Sequence, residues 1–284
     1  MIANIEAKLN ETIINRRVLS RAATGTVSHL TTESGKNFIL KSTIDPCRAQ
    51  CEAAGLREIM RAKSLSVPSV FFQEEGFLLT AYISSLPPGA HFFEKFGRSF
   101  AAMHRFTANS FGFYEDNFIG ATPQKNIPDN KAQRSNWVDF FMEKRLLFQY
   151  KRAEKTGHVT PVLREAFFKL APMVPEILSG SEEPPALLHG DLWSGNFISG
   201  ADGQAWVIDP AVYYGHREAD LVMTELFGGF PRVFYDAYQE CYPLKDGYEC
   251  RKRLYKLYHI LNHLNIFGMG YQQQALALMQ DALP

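Results

Sequence analysis

A charged residue that closes an apolar run restricts a fold severely, and this chain places two carboxylates that way in one short stretch, Leu187–Tyr214 (LLHGDLWSGNFISGADGQAWVIDPAVYY). Asp191 follows the apolar pair Leu187-Leu188 across a His189-Gly190 turn. Asp209 ends the run Ala205-Trp206-Val207-Ile208, which reads as a buried strand, and Pro210 stops that strand. A carboxylate at the end of a buried strand is costly unless a cation or a donor meets it. Asn196 lies between the two acids. The stretch therefore demands a fold in which Asp191, Asn196 and Asp209 open onto one cleft.

His-Gly-Asp alone often makes a turn, and a lone Asp after a strand is often a cap. HGDxxxxN followed by a strand and its aspartate is a different matter, because it supplies the catalytic half of a phosphoryl-transfer site. Such chemistry needs positioning and charge stabilisation more than covalent help. Asp191 can orient or deprotonate a hydroxyl. Asn196 and Asp209 offer hard oxygen ligands for Mg2+ on a nucleotide's phosphates. His189 reads as a structural residue of the loop, since the template gives the base role to the Asp. Trp193 could stack on a sugar face or plug the loop onto the core, and both readings stay open.

The nucleotide half should lie upstream. Lys41 ends the strand-like run Phe38-Ile39-Leu40, where a phosphate-binding lysine is expected, and Glu52 on the following helical segment is its preferred partner over Glu58. The phosphate loop should precede Val27. The residues there, Ser20-Arg21-Ala22-Ala23-Thr24-Gly25-Thr26, carry one glycine instead of GxGxxG. Thr24 and Gly25 could still present a hydroxyl and backbone N–H groups to phosphates; an ordinary β-turn is the alternative. Tyr82, in the expected hinge segment Ala81-Tyr82-Ile83, is the remaining nucleotide contact expected.

The rest of the pattern is α+β. Residues 3–14 carry Ile5, Leu9 and Ile13 at helical spacing, and strand-like runs follow at 27–31, 38–41, 67–72 and 76–80. A helix over 46–63 is signalled by Asp45 as N-cap and Pro46 at the first position. From Leu86 helical spacing dominates, with helices expected at 92–105, 136–154, 161–178, 218–240 and 247–266, and a long loop at 109–130 of the kind that often carries function. These features predict a small β-rich N-terminal lobe (1–83) and a larger, mostly helical C-terminal lobe (84–284), with the ligand between them. Lys+Arg and Asp+Glu both number 30, which gives nucleic acid no basic surplus to hold. No apolar run is long enough for a membrane span. The four cysteines form no CxxC pair, although Cys47 and Cys51 would share a helix face as ordinary thiols or as a redox-sensitive pair. A reducing cytoplasm is the expected setting.

The resemblance is narrower than the general phosphotransferase pattern. HGDLWSGN, VIDPAVYYGHREADLVMTELFGGF, FGFYEDNFIGATPQKN (111–126), NWVDFFMEKRL (136–146) and LYKLYHILNHLNIFGMGY (254–271) together resemble the fructosamine-3-kinase (ketosamine-3-kinase) family over nearly the whole chain. This implies a bilobal protein-kinase-like fold, ATP and Mg2+ as cofactors, and phosphorylation of a sugar hydroxyl on a small-molecule or protein-bound ketoamine, in the service of deglycation. Carried over by motif, Asp191 is the base, Asn196 and Asp209 the metal ligands, Lys41 the phosphate-binding lysine and Glu52 its partner. Asp220 matches an aspartate expected to buttress the catalytic loop, and His216 is a candidate substrate contact beside Trp193. The departure lies in Ala22-Ala23-Thr24-Gly25, where the family usually shows more glycine and often a cysteine. Competing expectations are an aminoglycoside or choline phosphotransferase of the same fold, and an inactive ATP-binding regulator.

Overall fold

The computed structural model describes residues 1–283. The chain opens with α1 (Ile2–Leu9), then β1 (Ile13–Ala22), β2 (Gly25–Thr32), β3 (Asn37–Thr43), α2 (Pro46–Ala62), β4 (Val70–Glu74) and β5 (Phe77–Ala81). The five strands make one antiparallel sheet in the order β1-β2-β3-β5-β4. Alternation along the strands decides which way each side chain faces. Leu30, Phe38, Leu40, Phe77 and Leu79 pack under Ile5 of α1 in a small cluster of their own. Lys41, next to Leu40, consequently points to the opposite face, where α2 lies.

The N-terminus corrects one expectation. The helix stops at Leu9, with Asn10 in the left-handed region (φ 52°), and Ile13 is already the first residue of β1. This strand carries almost no burial signal because every residue after Ile13 is exposed. An exposed edge strand buries neither face, so its sequence shows no alternation. The α2 expectation holds: Pro46 opens the helix and the Asp45 side chain accepts from Cys47 N at 3.0 Å.

The remainder follows as α3 (Phe92–His104), the hairpin β6 (Asn117–Ile119) and β7 (Thr122–Gln124), α4 (Lys131–Ser135), α5 (Trp137–Phe141), α6 (Phe148–Lys155), α7 (Pro161–Leu170) and α8 (Val174–Leu178). Next come β8 (Ala186–Leu188), β9 (Phe197–Ser199), β10 (Ala205–Val207), β11 (Tyr213–Gly215), α9 (Arg217–Glu225), α10 (Arg232–Cys241), α11 (Tyr248–Phe267) and α12 (Gln272–Asp281). The expected 218–240 helix is two helices, broken where Phe227 adopts φ 59° and Gly228 and Gly229 follow with positive φ. Between α5 and α6, Met142–Leu147 form a π-helical turn. It directs the buried Arg145 at Lys125 O (2.5 Å) and Asn126 Oδ1 (2.7 Å), with the guanidinium 3.9 Å from the centre of the Tyr213 ring.

The main core does not divide at residue 83. Ala49, Ala53, Leu56 and Ile59 of α2, with Leu78 of β5, belong to the same cluster as Phe96, Phe140, Leu188, Val212 and Leu261. Leu254, Leu257, Tyr258, Leu261 and Leu264 form the buried stripe of α11 that their spacing predicts. Among the described residues, no helix is long and apolar enough to cross a membrane.

Candidate active site

The catalytic loop runs from β8 to β9 and is tied down from behind. The buried Asp220 carboxylate accepts the amides of His189 (2.7 Å) and Gly190 (2.8 Å), and the Nε2–H of His104 (3.1 Å). Burial alone would raise its pKa; the hydrogen bond from His104 and the His189 amide more than offset this and hold it below the ordinary value. Gly190 has φ 81°, and a Cβ there would lie 2.1 Å from Ala211 O, so the loop can pass this point only as glycine. His189 donates from Nε2 to Ile208 O (3.0 Å) and accepts the Asp191 amide at Nδ1 (3.3 Å). Both ring nitrogens are thus used within the loop, and burial lowers the pKa to about 4, which keeps the imidazole neutral.

Asp191 sits at the open end of this frame. Burial pushes its carboxyl up to about 8, against the hydrogen bond from Asn196, which pulls the other way. The Asn196 amide donates to Asp191 O (2.7 Å) and Oδ2 (3.3 Å). With Nδ2 so engaged, the Asn196 carbonyl oxygen faces away from Asp191 and is available as a ligand. The Ile208 amide donates to Asn196 O at 3.0 Å, which brings Asp209 beside Asn196 across the β9–β10 hairpin. Asp209 itself has φ 55° and a half-exposed side chain. Its carboxylate meets Lys41, and Lys41 Nζ also lies 2.5 Å from Glu52 Oε1. Glu58, the competing partner, turns away to the Tyr214 hydroxyl (2.6 Å) and Arg61.

Lys41, Glu52, Asp209, Asn196 and Asp191 therefore share one region. An amide oxygen and a carboxylate are suitable donors for Mg2+, which is commonly bound by one or two carboxylates together with substrate phosphates. Among the described residues, no group of three or more His, Cys, Asp or Glu could hold a metal unaided. The donor set fits a cation shared with phosphate oxygens.

Ala23 and Thr24 form the tip of the β1–β2 hairpin, and Gly25 opens β2. Ala22 pairs with Gly25 across the two-residue turn, and Ile44 N donates to Thr24 O at 3.1 Å. A Cβ on Gly25 would lie 2.1 Å from Ser42 O, so this glycine is required by close approach of two strands. Tyr82, after β5, is 36% exposed and stacks on His29 with ring centres 4.5 Å apart. Trp193 folds back over its own loop: a Cβ on Gly195 would meet the indole at 2.5 Å.

His216 is a correction. It is buried, its Nε2 donates to Ser181 O (2.7 Å), and its Nδ1 accepts the Glu218 amide (3.3 Å) as the N-cap of α9. Its ring lies between Trp137 and Tyr255. No atom of it is left for a substrate. The 109–130 segment is likewise a support. Asn117 and Gln124 donate to Val212 O (2.8 Å) and Ala211 O (2.9 Å), while Arg48 of α2 donates to Gly120 O (2.8 Å) and Ala121 O (3.1 Å). The loop thereby braces both α2 and the chain following Asp209. Its polar side chains gave no sign of this in sequence, because their partners are backbone carbonyls remote along the chain. The redox reading of Cys51 meets an adverse environment, since burial pushes its thiol up to about 11.

Known proteins share this frame. Over residues 2–284 the chain matches the family model described as fructosamine kinase. It is 36% identical to the chloroplastic protein-ribulosamine 3-kinase of Arabidopsis thaliana, over 90% of this chain and 78% of that protein. A crystal structure of a candidate fructosamine-3-kinase from Thermobifida fusca superposes with a TM-score of 0.90 at 32% identity, covering 99% of this chain and 98% of the other. An aminoglycoside phosphotransferase in ternary complex with AMP-PNP and hygromycin B shares the fold, with a TM-score of 0.66 at 13% identity, covering 99% and 96%. With a protein-kinase-like α+β frame and a family match that spans the chain from its second residue to its last, this protein belongs to the fructosamine kinase family.

Proposed function

We propose that the protein is an ATP-dependent kinase that phosphorylates a sugar hydroxyl of a ketoamine, a small molecule or a protein-bound adduct, as a step in deglycation. The observation that carries this reading is the meeting of Lys41 with both Glu52 and Asp209, next to Asp191 and Asn196. It assembles a phosphate-binding cation, two oxygen ligands and a base from segments far apart in sequence. The ketoamine as acceptor rests on the family match and on the relative named as a protein-ribulosamine 3-kinase.

In this reading residues 1–83 form the nucleotide-binding lobe and 84–284 the catalytic and substrate lobe. Lys41, held by Glu52, binds the phosphates. Thr24 and the Gly25 backbone cover them, and Tyr82 flanks the base. Asn196 and Asp209 would hold Mg2+, which would supply positive charge to the phosphoryl group being transferred. Asp191 accepts the proton of the attacking hydroxyl. Once ionised, a carboxyl whose pKa is raised is a stronger base than an ordinary one, and it is this ionised form that takes the proton. Four free cysteines are consistent with a reducing cytoplasm.

The test is ATP consumption with fructosamine, ribulosamine and erythrulosamine adducts, choline and aminoglycosides, with Asp191→Ala as control. Turnover of a ketoamine, falling by about 10²–10⁴-fold in Asp191→Ala, is expected. Turnover of choline or an aminoglycoside but of no ketoamine overturns the reading. Equal inertness of both proteins with ATP still bound identifies an inactive nucleotide-binding protein instead.

A further inference from the structure

Glu52 reaches Lys41 from a helix that is itself tied in place, and a residue remote from the chemistry makes the tie. Arg48 stands in the first turn of α2, just after Pro46 and Cys47. A cation at that end opposes the helix dipole, which favours an acid there. Helix formation alone therefore gives no reason for an arginine at 48. Its guanidinium is spent on a distant turn: Nη1 donates to Gly120 O (2.8 Å), Nη2 donates to Ala121 O (3.1 Å), and the group lies 4.0 Å from the centre of the Phe118 ring. Gly120 and Ala121 are the turn between β6 and β7. Two consecutive carbonyls are thus taken by one planar fork, a geometry that Arg meets better than Lys.

The hairpin that receives Arg48 is a fixed point. Thr122 meets Asn262 of α11. Gln124 accepts the Tyr258 hydroxyl (2.6 Å) and donates to Asn117 Oδ1 (2.8 Å) and Ala211 O (2.9 Å), and Asn117 donates to Val212 O (2.8 Å). Asn117, Thr122, Gln124 and Asn262 are all buried, so the hairpin cannot shift without leaving polar groups unpaired. Ala211 and Val212 follow Asp209 closely in the chain. The hairpin therefore joins the start of α2 to the segment that carries Asp209. A direct contact joins them again further along the helix, where a Cβ on Gly55 would lie 3.1 Å from Pro210 and 3.2 Å from Val212.

Arg48, Glu52 and Gly55 are spaced four and three apart, which sets them on one face of α2. Glu52 lies between the two attachments. The contacts close a ring: Glu52 to Lys41, Lys41 to Asp209, along the chain to Ala211 and Val212, through the hairpin to Arg48, and back one helical turn to Glu52. Resting on the kinase reading above, we propose that Arg48 is a positioning residue: by clamping the first turn of α2 to the β6–β7 turn, it holds Glu52 at the place where it can orient Lys41. Arg48 touches neither Lys41 nor Asp191 and acts through Glu52 alone. The clamp uses no group assigned to ATP or Mg2+, so it sets the place of Glu52 without help from either.

Arg48→Ala and Glu52→Gln, made singly and together, test this through kcat and the KM values for ATP and for the ketoamine. Arg48→Ala should lower kcat/KM for ATP by about tenfold and leave KM for the ketoamine within about twofold. Added to Glu52→Gln, it should cost less than about a further twofold, because a displaced Glu52 and a missing one fail in the same way. Arg48→Lys keeps the stem over Phe118 and can reach one carbonyl; it should show a smaller loss of the same pattern, and it replaces the alanine variant if that one melts early. A residue that served stability alone would act independently of Glu52, and the two losses would multiply. Arg48→Ala within about twofold of wild type, or a full further tenfold loss in the double variant, overturns the clamp. If wild type consumes ATP with no ketoamine, the kinase reading fails and the clamp with it.

Discussion

The catalytic loop and the β1–β2 hairpin, both proposed above to serve phosphoryl transfer, are built on opposite principles. The loop is tied down from inside the protein: Asp220 holds the His189 and Gly190 amides, His189 holds Ile208 O, and Gln124 holds Ala211 O. The hairpin projects into solvent, with β1 exposed along almost its whole length and its tip fixed by one backbone bond from Ile44 to Thr24. Buried polar groups tolerate few substitutes, because an unpaired one costs about 1–3 kcal/mol. Exposed backbone donors tolerate many. The loop consequently wears its function in its side chains, and the hairpin can perform its part with one glycine.

This contrast can be broken most forcefully at Asp220. Asp220→Ala strands three buried donors and should cost roughly 3–5 kcal/mol in urea unfolding, with activity lost at temperatures where the protein is still folded. A loss under 1 kcal/mol would mean that the loop does not depend on its buried acid. The sign of the pH dependence is fixed as well. The Asp220 pKa is depressed on folding, so its stabilisation is present above the ordinary carboxylate pKa and disappears as pH falls through the folded value.

Asp191 in the same loop has the reverse sign. Its carboxyl, raised to about 8, stays protonated in the folded chain while the unfolded chain ionises near 4. Wild type should therefore lose stability relative to Asp191→Asn as pH rises from about 4 to 8, and the two should coincide below that window. Melting curves of the pair across this range provide the check; parallel curves would show that Asp191 ionises as an ordinary acid.

The hairpin predicts smaller effects. Gly25→Ala forces a Cβ against Ser42 O and should raise KM for ATP by about tenfold through displacement of the tip. Thr24→Ala removes only a hydroxyl and should change that KM by less than about threefold. If Thr24→Ala matches Gly25→Ala, side-chain chemistry matters in the hairpin as much as in the loop, and the contrast disappears.

What could be read beforehand follows from the same physics. Lys41 and Glu52 were legible because the strand–lysine–helix order is local, and the preference for Glu52 agrees with a contact at 2.5 Å, while Glu58 serves Tyr214. The supporting role of Asp220 was legible through its motif. The substrate assignment of His216 misled, since a histidine that caps α9 and one that lines a cleft look alike in sequence. β1 was missed because a strand with no buried face has no period to detect. The pairing of Arg48 with Gly120 and of Asn117 with Val212 left no trace at all, as backbone carbonyls carry no residue identity.

By itself, then, the sequence determined the chemistry: which acids, which amide and which lysine are present, and the α+β order that carries them. Those residues are dictated by local demands, such as a strand that must end in a ligand or a turn that only Gly190 can make. Tertiary structure alone decided what each polar group faces. It half-buried Asp191 and so raised its pKa, turned Glu58 from Lys41 to Tyr214, closed His216 inside a helix cap, and set a strained Phe227 beside Trp193. Burial and long-range partnership are properties of three-dimensional neighbours, and residues far apart in sequence become neighbours only when the core closes.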